Sequence, residues 1–465
     1  MIRLVAYRDL LERVRDGRLL WAGGMVLVLL LAALAVGHGR QQEARAEQQA
    51  AQTSDYRDWL RQGRRHPHDA AHQGMHAFKP GAPLGVVEPG INPYIGSTIW
   101  LQAHRQSEVK FRPAQDATGL QRFGDLSVGW VLQVLGPLLV VLLGFNAFAA
   151  ERERGILRQT LSLGSAPAKL LWGKALALGL ALAVLLVPAA LVAGAVVVSS
   201  AEPGTRWDAA GRFVGFGAGY ALYLGTFVFL TLAVSAASAT SRIAISVLLA
   251  VWIANAVVAP RVLSEVSRLL FPSPTRLEFN TALNADLKAT SDRVWMQAFG
   301  TTERWSKDVP LGKWGVALKL DDQASYAVYD RHFGRLWDTW ERQQTVQDVA
   351  GLFMPLLAAR SFSTAMAGTD FVHHRDFTVA AERHRRVIQD TVSQDLVDHA
   401  DPLGNQHFAY QAEADLWARV PPFEYRAPAV AWALGRSWPS LLALLAGLGM
   451  AVALARVAVA RQRAL

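Results

Sequence analysis

The 465-residue chain contains no cysteine. This absence excludes disulfides, thiolate catalysis and cysteine-bound zinc or iron–sulfur clusters, and it leaves the redox compartment undetermined. The catalytic signatures HExxH and GxSxG are also missing. No GxxxxGKS or GxxxxGKT phosphate-binding loop occurs, because Gly173-Lys174 and Gly312-Lys313 lack the upstream glycine at the required spacing. We therefore expect neither catalytic residues nor a bound cofactor in this chain.

Charged side chains are scarce over six long stretches, although hydrophobic residues make up only 52% of the whole chain. Each stretch is near the roughly 20 residues that a helix needs to cross the hydrocarbon core of a bilayer. The first has no small-residue cleavage pattern, so we interpret it as a retained anchor and not a signal peptide. The sequence predicts an all-α polytopic membrane protein with transmembrane helices at 19–38, 126–150, 170–200, 211–241, 243–263 and 437–455.

The formal net charge is +9, and much of the basic excess lies beside these stretches. Basic residues are concentrated in segments 1–18 and 151–169, at Arg242 and in the tail 456–465. With six spans all four segments fall on one side, which the positive-inside rule assigns to the cytoplasm. The turn between the third and fourth spans, where Arg206 and Arg212 are balanced by Glu202 and Asp208, would then lie outside. We expect a multi-pass protein of the inner (cytoplasmic) membrane, with both termini cytoplasmic and no nucleic-acid partner.

Two long segments then remain outside the membrane, 39–125 and 264–430. The first is predicted to begin as a polar helix over 41–65 and to become irregular around its prolines. The second is large enough for a core of its own. Its aromatic residues recur at three- and four-residue steps, as in Tyr329, Phe333 and Trp337, which predicts a mainly helical domain.

The apolar stretch 349–368 complicates this topology. Arg360 at its centre would cost about 2.5–3.5 kcal/mol inside a membrane, and Pro355 disfavours an uninterrupted helix. We expect it to lie on the outer membrane surface or to pack within the domain, and not to form a seventh span.

Histidines cluster at His66, His68, His72 and His76, and spacing of i, i+4 can place two imidazoles on one helix face. We expect Pro67 and Gly74 to interrupt any such helix, so we interpret the segment as a solvated polar linker without a metal. The adjacent pair His373 and His374 would point to different sides of a helix, so we expect structural roles there.

Polar residues inside the spans are few. They are Gln133, Asn146 and Asn255, and they either bond across helices or line a path for cargo. Because charged residues lie only near the ends of the six apolar stretches, we see no side chains in their middle that could relay protons. This argues against a secondary transporter.

The charged segment after the second span, ERERGILRQTLSLGSAPAKLLWGKAL, resembles the cytoplasmic loop of type-2 ATP-binding-cassette (ABC) permeases. The N-terminal MIRLVAYRDLLERVRDGRLL is similar to the amphipathic elbow helix of that family (1–18). The segment PLLAARSFSTAMAGTDFVHHRDFTVAAERHRR resembles a bacterial subfamily with two large extracytoplasmic insertions. The loop departs mildly from the family pattern at Ile156, where Thr or Ser is usual, and at Ala168, where Arg is usual.

This resemblance implies a membrane-spanning permease subunit of an ATP-driven exporter or extracytoplasmic machine. The implied partners are a cytoplasmic ABC ATPase, which would bind ATP and Mg, a second permease subunit (identical or paralogous), the lipid bilayer and a periplasmic or envelope partner. The implied coupling helix docks on the ATPase through Glu151, Arg152, Glu153, Arg154, Gly155, Leu157, Arg158 and Leu161. The alternatives are that these charges merely cap a span, and that the chain is a membrane-anchored scaffold or assembly factor without translocation.

Overall fold

The computed structural model describes residues 1–110, 112, 126–304, 309–401 and 409–464. Six helices in this part of the chain are long and apolar enough to cross a membrane. The predicted all-α polytopic membrane fold with six spans is therefore confirmed. Spans 1 to 6 are Leu19–Leu60, Val128–Glu153, Pro167–Ser200, Pro203–Ala237, Ser241–Leu270 and Val430–Ala460.

The helices are numbered along the chain. Those that precede the fourth span are α1 Ile2–Arg15, α2 Gly24–Leu60, α3 Pro67–Gln73, α4 Asn92–Ile95, α5 Val128–Trp130, α6 Gly136–Gly144, α7 Ala149–Glu153, α8 Ile156–Ser162 and α9 Pro167–Ser200. Those that follow are α10 Arg206–Ala237, α11 Ser241–Ile253, α12 Ala259–Leu270, α13 Arg276–Phe299, α14 Trp314–Ala350, α15 Pro355–Ala367, α16 Phe371–Asp398, α17 Ala414–Ala418 and α18 Val430–Ala460. The strands β1 Met75–Phe78 and β2 Thr98–Leu101 pair antiparallel.

Prolines shape two of the spans. A π-helical turn at Val131–Leu135 precedes Pro137 in span 2, and another at Ala254–Val258 precedes Pro260 in span 5. Proline has no backbone N–H to donate to the preceding turn, so a wider turn before it lets the helix continue. Both spans therefore remain continuous despite a proline near their middle.

Span 4 is the centre of the bundle, since α10 packs against α6, α9, α15 and α18. Its buried side chains include Phe216, Tyr223 and Phe227. Small residues let neighbouring elements approach closely: a Cβ on Gly219 would lie 2.6 Å from the ring of Phe362 in α15. Close approach at small residues is the usual basis of helix packing in membranes.

The stretch 349–368 is not a seventh span, as the sequence predicted, but its position differs from the expectation. Its helix, α15, has only 13 residues and ends at Gly368, whose φ is +73°. It packs against α10 and α18, so it is a short helix buried against spans 4 and 6, neither a seventh span nor a surface helix. Arg360 is exposed while Phe362 and Met366 are buried, which explains how an arginine is tolerated at its centre.

The turn between spans 3 and 4 also differs from the expectation. Arg212 does not belong to that turn: it lies in the second turn of α10 and is fully buried. It binds Asp208 at 2.7 Å and donates to the carbonyls of Ala365, Met366 and Pro428. These acceptors satisfy a buried guanidinium and tie span 4 to the end of α15.

The two insertions form a joint helical domain. In the second insertion, Leu283 on α13 packs with the aromatic stripe of Tyr329, Phe333 and Trp337 on α14, as the periodicity predicted. Another cluster combines Trp59 and the β1–β2 hairpin of the first insertion with residues of α16 and α17 from the second. The hairpin was not predicted.

Candidate functional site

A short helical hairpin, α7–α8, connects spans 2 and 3. α7 ends at Glu153, Gly155 adopts a left-handed conformation with φ of +74°, and α8 begins at Ile156. No atom lies within 4 Å of the place where a Gly155 Cβ would stand, so backbone conformation alone favours glycine there. Gly164 provides a second left-handed turn before α9. The two glycines thus delimit α8 between two membrane spans.

The first residue of the charged motif points into the protein. Glu151 Oε1 lies 2.9 Å from the ammonium of Lys174, which is only 2% exposed. The same ammonium lies 3.2 Å from Oδ2 of Asp9, and Asp9 also pairs with Arg13. Charges buried together must be paired to be tolerated. This cluster therefore joins α1, α7 and α9 at the end of the bundle.

The next two residues contact the turn between spans 4 and 5. Arg152 donates to the carbonyls of Ala236 and Ser238, at the carbonyl end of α10. Glu153 accepts bonds from the backbone N–H of Ser241 at 2.9 Å and from its hydroxyl at 3.0 Å, at the first turn of α11. A cation at a helix C-terminus and a carboxylate at an N-terminus are both favourable.

The residues of α8 and of the turns on either side of it are either packed on the bundle or exposed. Leu157 is buried in the bundle core and Leu161 packs partly against it. Arg154, Arg158 and Leu163 are exposed, and Leu163 is 85% exposed at the tip of the hairpin. Arg154 makes a weak contact of 4.0 Å with Glu12. Leu163 was not among the residues predicted from the sequence, although an apolar residue between Ser162 and Gly164 in a polar loop was a usable signal.

The N-terminal helix α1 and the C-terminal tail lie at the same end of the bundle. A Cβ on Gly173 of span 3 would lie 2.6 Å from Val5, which shows how closely α1 packs there. Gln462 of the tail donates to the carbonyl of Ala236. The four basic segments that the sequence assigned to one side therefore gather at one end of the spans, which we call the α8 end.

The opposite end holds a buried polar network that the sequence did not reveal. Glu88, from the first insertion, is 5% exposed and accepts bonds from Gln133 (2.9 Å), Ser363 (3.1 Å) and Tyr220 (3.4 Å). Burial raises the pKa of Glu88, which favours the neutral acid. A Cβ on Gly129 would lie 2.1 Å from its carboxylate, so a larger residue there would displace the side chain of Glu88.

All three polar residues predicted within spans are hydrogen-bonded inside the protein. Gln133 bonds to Glu88 and Tyr220, and Asn255 bonds to Tyr223 and to the backbone of Leu356. Asn146 accepts a bond from Arg18. These are cross-helix bonds, and the path-lining role stays a prediction.

An apolar cavity of about 400 Å³ lies among spans 1 to 4. Its lining includes Leu30, Leu182, Phe213 and Leu224, with Tyr220 at the polar network. None of Gln133, Asn146 and Asn255 belongs to the lining.

The histidine segment was predicted to be a polar linker, but the structure has a helix and the start of a strand there. Pro67 is the first residue of α3 and Gly74, with φ of +61°, ends it, so both residues bound the helix that they were expected to break. His68 and His72 share one face and lie beside His104. His76 bonds to Asp55 instead, and His66 caps α3. In the other pair, His373 contacts Asp370, and His374 is buried.

Six spans, a helix packed against their α8 end and a charged hairpin fixed between them define a multi-pass membrane protein with a rigidly held loop. Residues 3–308 match the family model described as ABC-2 family transporter protein. This match covers more than half of the chain, which therefore belongs to that family and is a permease component of an ABC transporter. Such permeases in general work with a partner ATPase subunit. Residues 273–426 match the family model described as Domain of unknown function (DUF3526). No curated protein matches the chain.

Proposed function

We propose that this chain couples a cytoplasmic ATPase to movement of its own spans, with α8 as the docking element. The observation that carries the proposal is the way the α7–α8 hairpin is held. Lys174 connects it to span 3, and Arg152 and Glu153 connect it to spans 4 and 5. A push on α8 would therefore be transmitted to several spans together, since a rigid element with few joints moves as a body.

Within this proposal the charged motif has two tasks. Glu151, Arg152, Glu153 and Leu157 attach the hairpin to the bundle. Arg154, Arg158 and Leu163 are exposed and would form the surface that meets the ATPase, which itself binds ATP and Mg. An exposed leucine together with two exposed arginines suits an interface with an apolar centre and a charged rim.

The proposal places the α8 end in the cytoplasm and the joint helical domain on the outer side of the inner membrane. The excess of arginine at the α8 end supports this orientation. A second permease subunit, identical or paralogous, would complete the complex. The apolar cavity among spans 1 to 4 favours a lipid-like or otherwise apolar cargo.

The test is site-specific photo-crosslinking in the native host. A photoreactive phenylalanine derivative replaces Leu163 in one variant and Leu277 in a control variant, because both leucines are strongly exposed but only Leu163 lies at the tip of the α7–α8 hairpin. We expect a crosslink from position 163 to a chain with a phosphate-binding loop, and none from position 277. Arg158→Glu should reduce recovery of that chain and its ATP turnover without changing the thermal stability of the permease.

Two results would reject the proposal: equal crosslinking from both positions, or full ATPase recovery and normal turnover in Arg158→Glu combined with Leu163→Asp. If wild-type protein retained an envelope partner but no ATPase, the scaffold alternative would be favoured instead.

A further inference from the structure

Three histidines from separate parts of the first insertion come together in the joint helical domain. His68 and His72 lie one turn apart on α3, and their Nε2 atoms are 3.1 Å from each other. His104 follows β2, and its ring centre lies 4.9 Å from that of His68 and 5.2 Å from that of His72. One ring nitrogen from each of the three histidines lies within 4.8 Å of the others.

The third histidine is held in place from the second insertion. His104 Nδ1 lies 2.8 Å from Oδ1 of Asp322 on α14, although 218 residues separate the two. The hydroxyl of Tyr329, about two helical turns further along α14, donates to the backbone carbonyl of His104 at 2.8 Å. His104 also has φ of +58°, and no other non-glycine residue in the described ranges has positive φ. Such a conformation persists only where the surroundings impose it.

This arrangement has the features of a metal-binding triad. A carboxylate that accepts the Nδ1 proton of a histidine fixes the tautomer and leaves Nε2 as a lone-pair donor. Zinc binds imidazole nitrogens at about 2.0–2.1 Å, so neighbouring ligands around tetrahedral zinc lie about 3.3 Å apart. The His68–His72 separation is already close to this value, whereas the His104 ring would have to move closer to complete the set.

We propose that His68, His72 and His104 bind a divalent transition-metal ion, for which Zn²⁺ is the best fit, with Asp322 orienting His104. A set of three neutral imidazoles suits zinc, copper or nickel and does not suit calcium or magnesium, which take oxygen ligands.

The site is open on one side. His72 is exposed, whereas His68 and His104 are half-buried, so the triad faces solvent and a fourth coordination position can be taken by water or by a ligand from outside. Three protein ligands with an open position are typical of zinc sites that exchange or act on a ligand, whereas closed structural sites have four. Through Asp322, binding would also tighten the contact between the first insertion and α14.

The experiment uses the full-length protein, purified in detergent through an affinity tag without histidines and stripped of metal with a chelator. Zinc is titrated calorimetrically, and cobalt is added separately because its visible absorption reports tetrahedral coordination. Wild-type protein should bind one equivalent of zinc. His72→Gln should weaken binding at least tenfold, and because His72 is exposed this variant should fold normally.

Two further variants make the result specific. Asp322→Asn replaces the carboxylate that accepts the His104 Nδ1 proton with a neutral and weaker amide acceptor without touching the ion, and it should weaken zinc binding by about 10- to 100-fold. His399→Gln removes a half-exposed histidine outside the triad and should leave binding unchanged. The proposal fails if wild-type protein binds no zinc above the level of His72→Gln, or if Asp322→Asn and His399→Gln bind equally well.

Discussion

Lys174 and Glu151 form an inward-facing ion pair of 2.9 Å at the end of the second and third spans, with Lys174 almost fully buried. In the sequence, Glu151 begins a motif that the family resemblance assigns to ATPase docking. Its partner belongs to the same chain, so the acidic residue fixes the hairpin to the bundle before any other subunit is involved.

Glu151→Gln should therefore destabilise the permease itself. The change removes the negative charge that faces Lys174 and leaves Asp9 as its remaining acid partner, and weakening the pairing of a buried charge in this way should cost about 1–3 kcal/mol. Thermal unfolding in detergent, followed by tryptophan fluorescence, measures the effect. Glu153→Gln is the matched control, because Glu153 is exposed and, within the described part of the chain, bonds to Ser241 alone, so its shift in Tm should be clearly smaller. Equal shifts would mean that the Lys174 pair does not hold the hairpin.

Glu88→Gln should gain stability relative to wild type as the pH rises. Burial raises the pKa of Glu88, so the stability that depends on its proton is complete below about pH 4.5 and is lost as the pH rises through the folded-state pKa. Glutamine keeps an oxygen acceptor for Gln133, Tyr220 and Ser363 but does not titrate. The Tm difference between variant and wild type, measured from pH 5 to pH 8, should therefore move in favour of the variant. A difference that is constant over this range would contradict the prediction.

His374 should make the helical domain sensitive to acid. Burial, with the nearby charge of Lys79, lowers the pKa of His374 to about 3. The unfolded chain takes up a proton below about pH 6.5, whereas the folded chain does not, so stability is present above that pH and is lost as the pH falls. The loss from this residue is about 2 kcal/mol at pH 5. His374→Leu should show a shallower decline of Tm between pH 7 and pH 5, and an unchanged slope would refute the assignment.

Single cysteines can test the orientation without background, because the natural chain has none. Ser54 lies near the end of α2 in the first insertion, and Ser162 lies at the end of α8; both are exposed. In intact spheroplasts an impermeant thiol reagent should label Ser54→Cys, and should label Ser162→Cys only after permeabilisation. Labelling of Ser162→Cys in intact cells would invert the topology. Ser306, a further labelling position in the outer segment, falls outside the described residues.

The spans could be predicted from the sequence because their signal is local: about 20 residues without charge have few alternatives to a membrane helix. The aromatic stripe of α14 was predictable for the same reason, as it depends on spacing within one helix. The buried helix α15 was not, because its place depends on the space that Gly215 and Gly219 leave on span 4.

The polar sites escaped prediction because they depend on contacts distant in sequence. Glu88 meets Ser363 across 275 residues, and His104 meets Asp322 across 218. Pro67 and Gly74 were misinterpreted for a different reason. Proline at a first helical position and glycine after the last mark the ends of a helix as well as breaks in one, and seven residues proved enough for a helix between them.

The unbroken course of α2 has a mechanical consequence. Its 37 residues correspond to a rod about 55 Å long that begins in span 1 and ends in the helical domain. Near its far end Trp59 is buried and donates to the carbonyl of Trp417, so the tip is clamped to the second insertion. A tilt of about 10° at the membrane would displace the tip by about 10 Å. Any tilt of the first span would thus be carried along the rod into the helical domain, a few residues before the histidine triad begins, and the bond at Trp59 would pass it on to the second insertion.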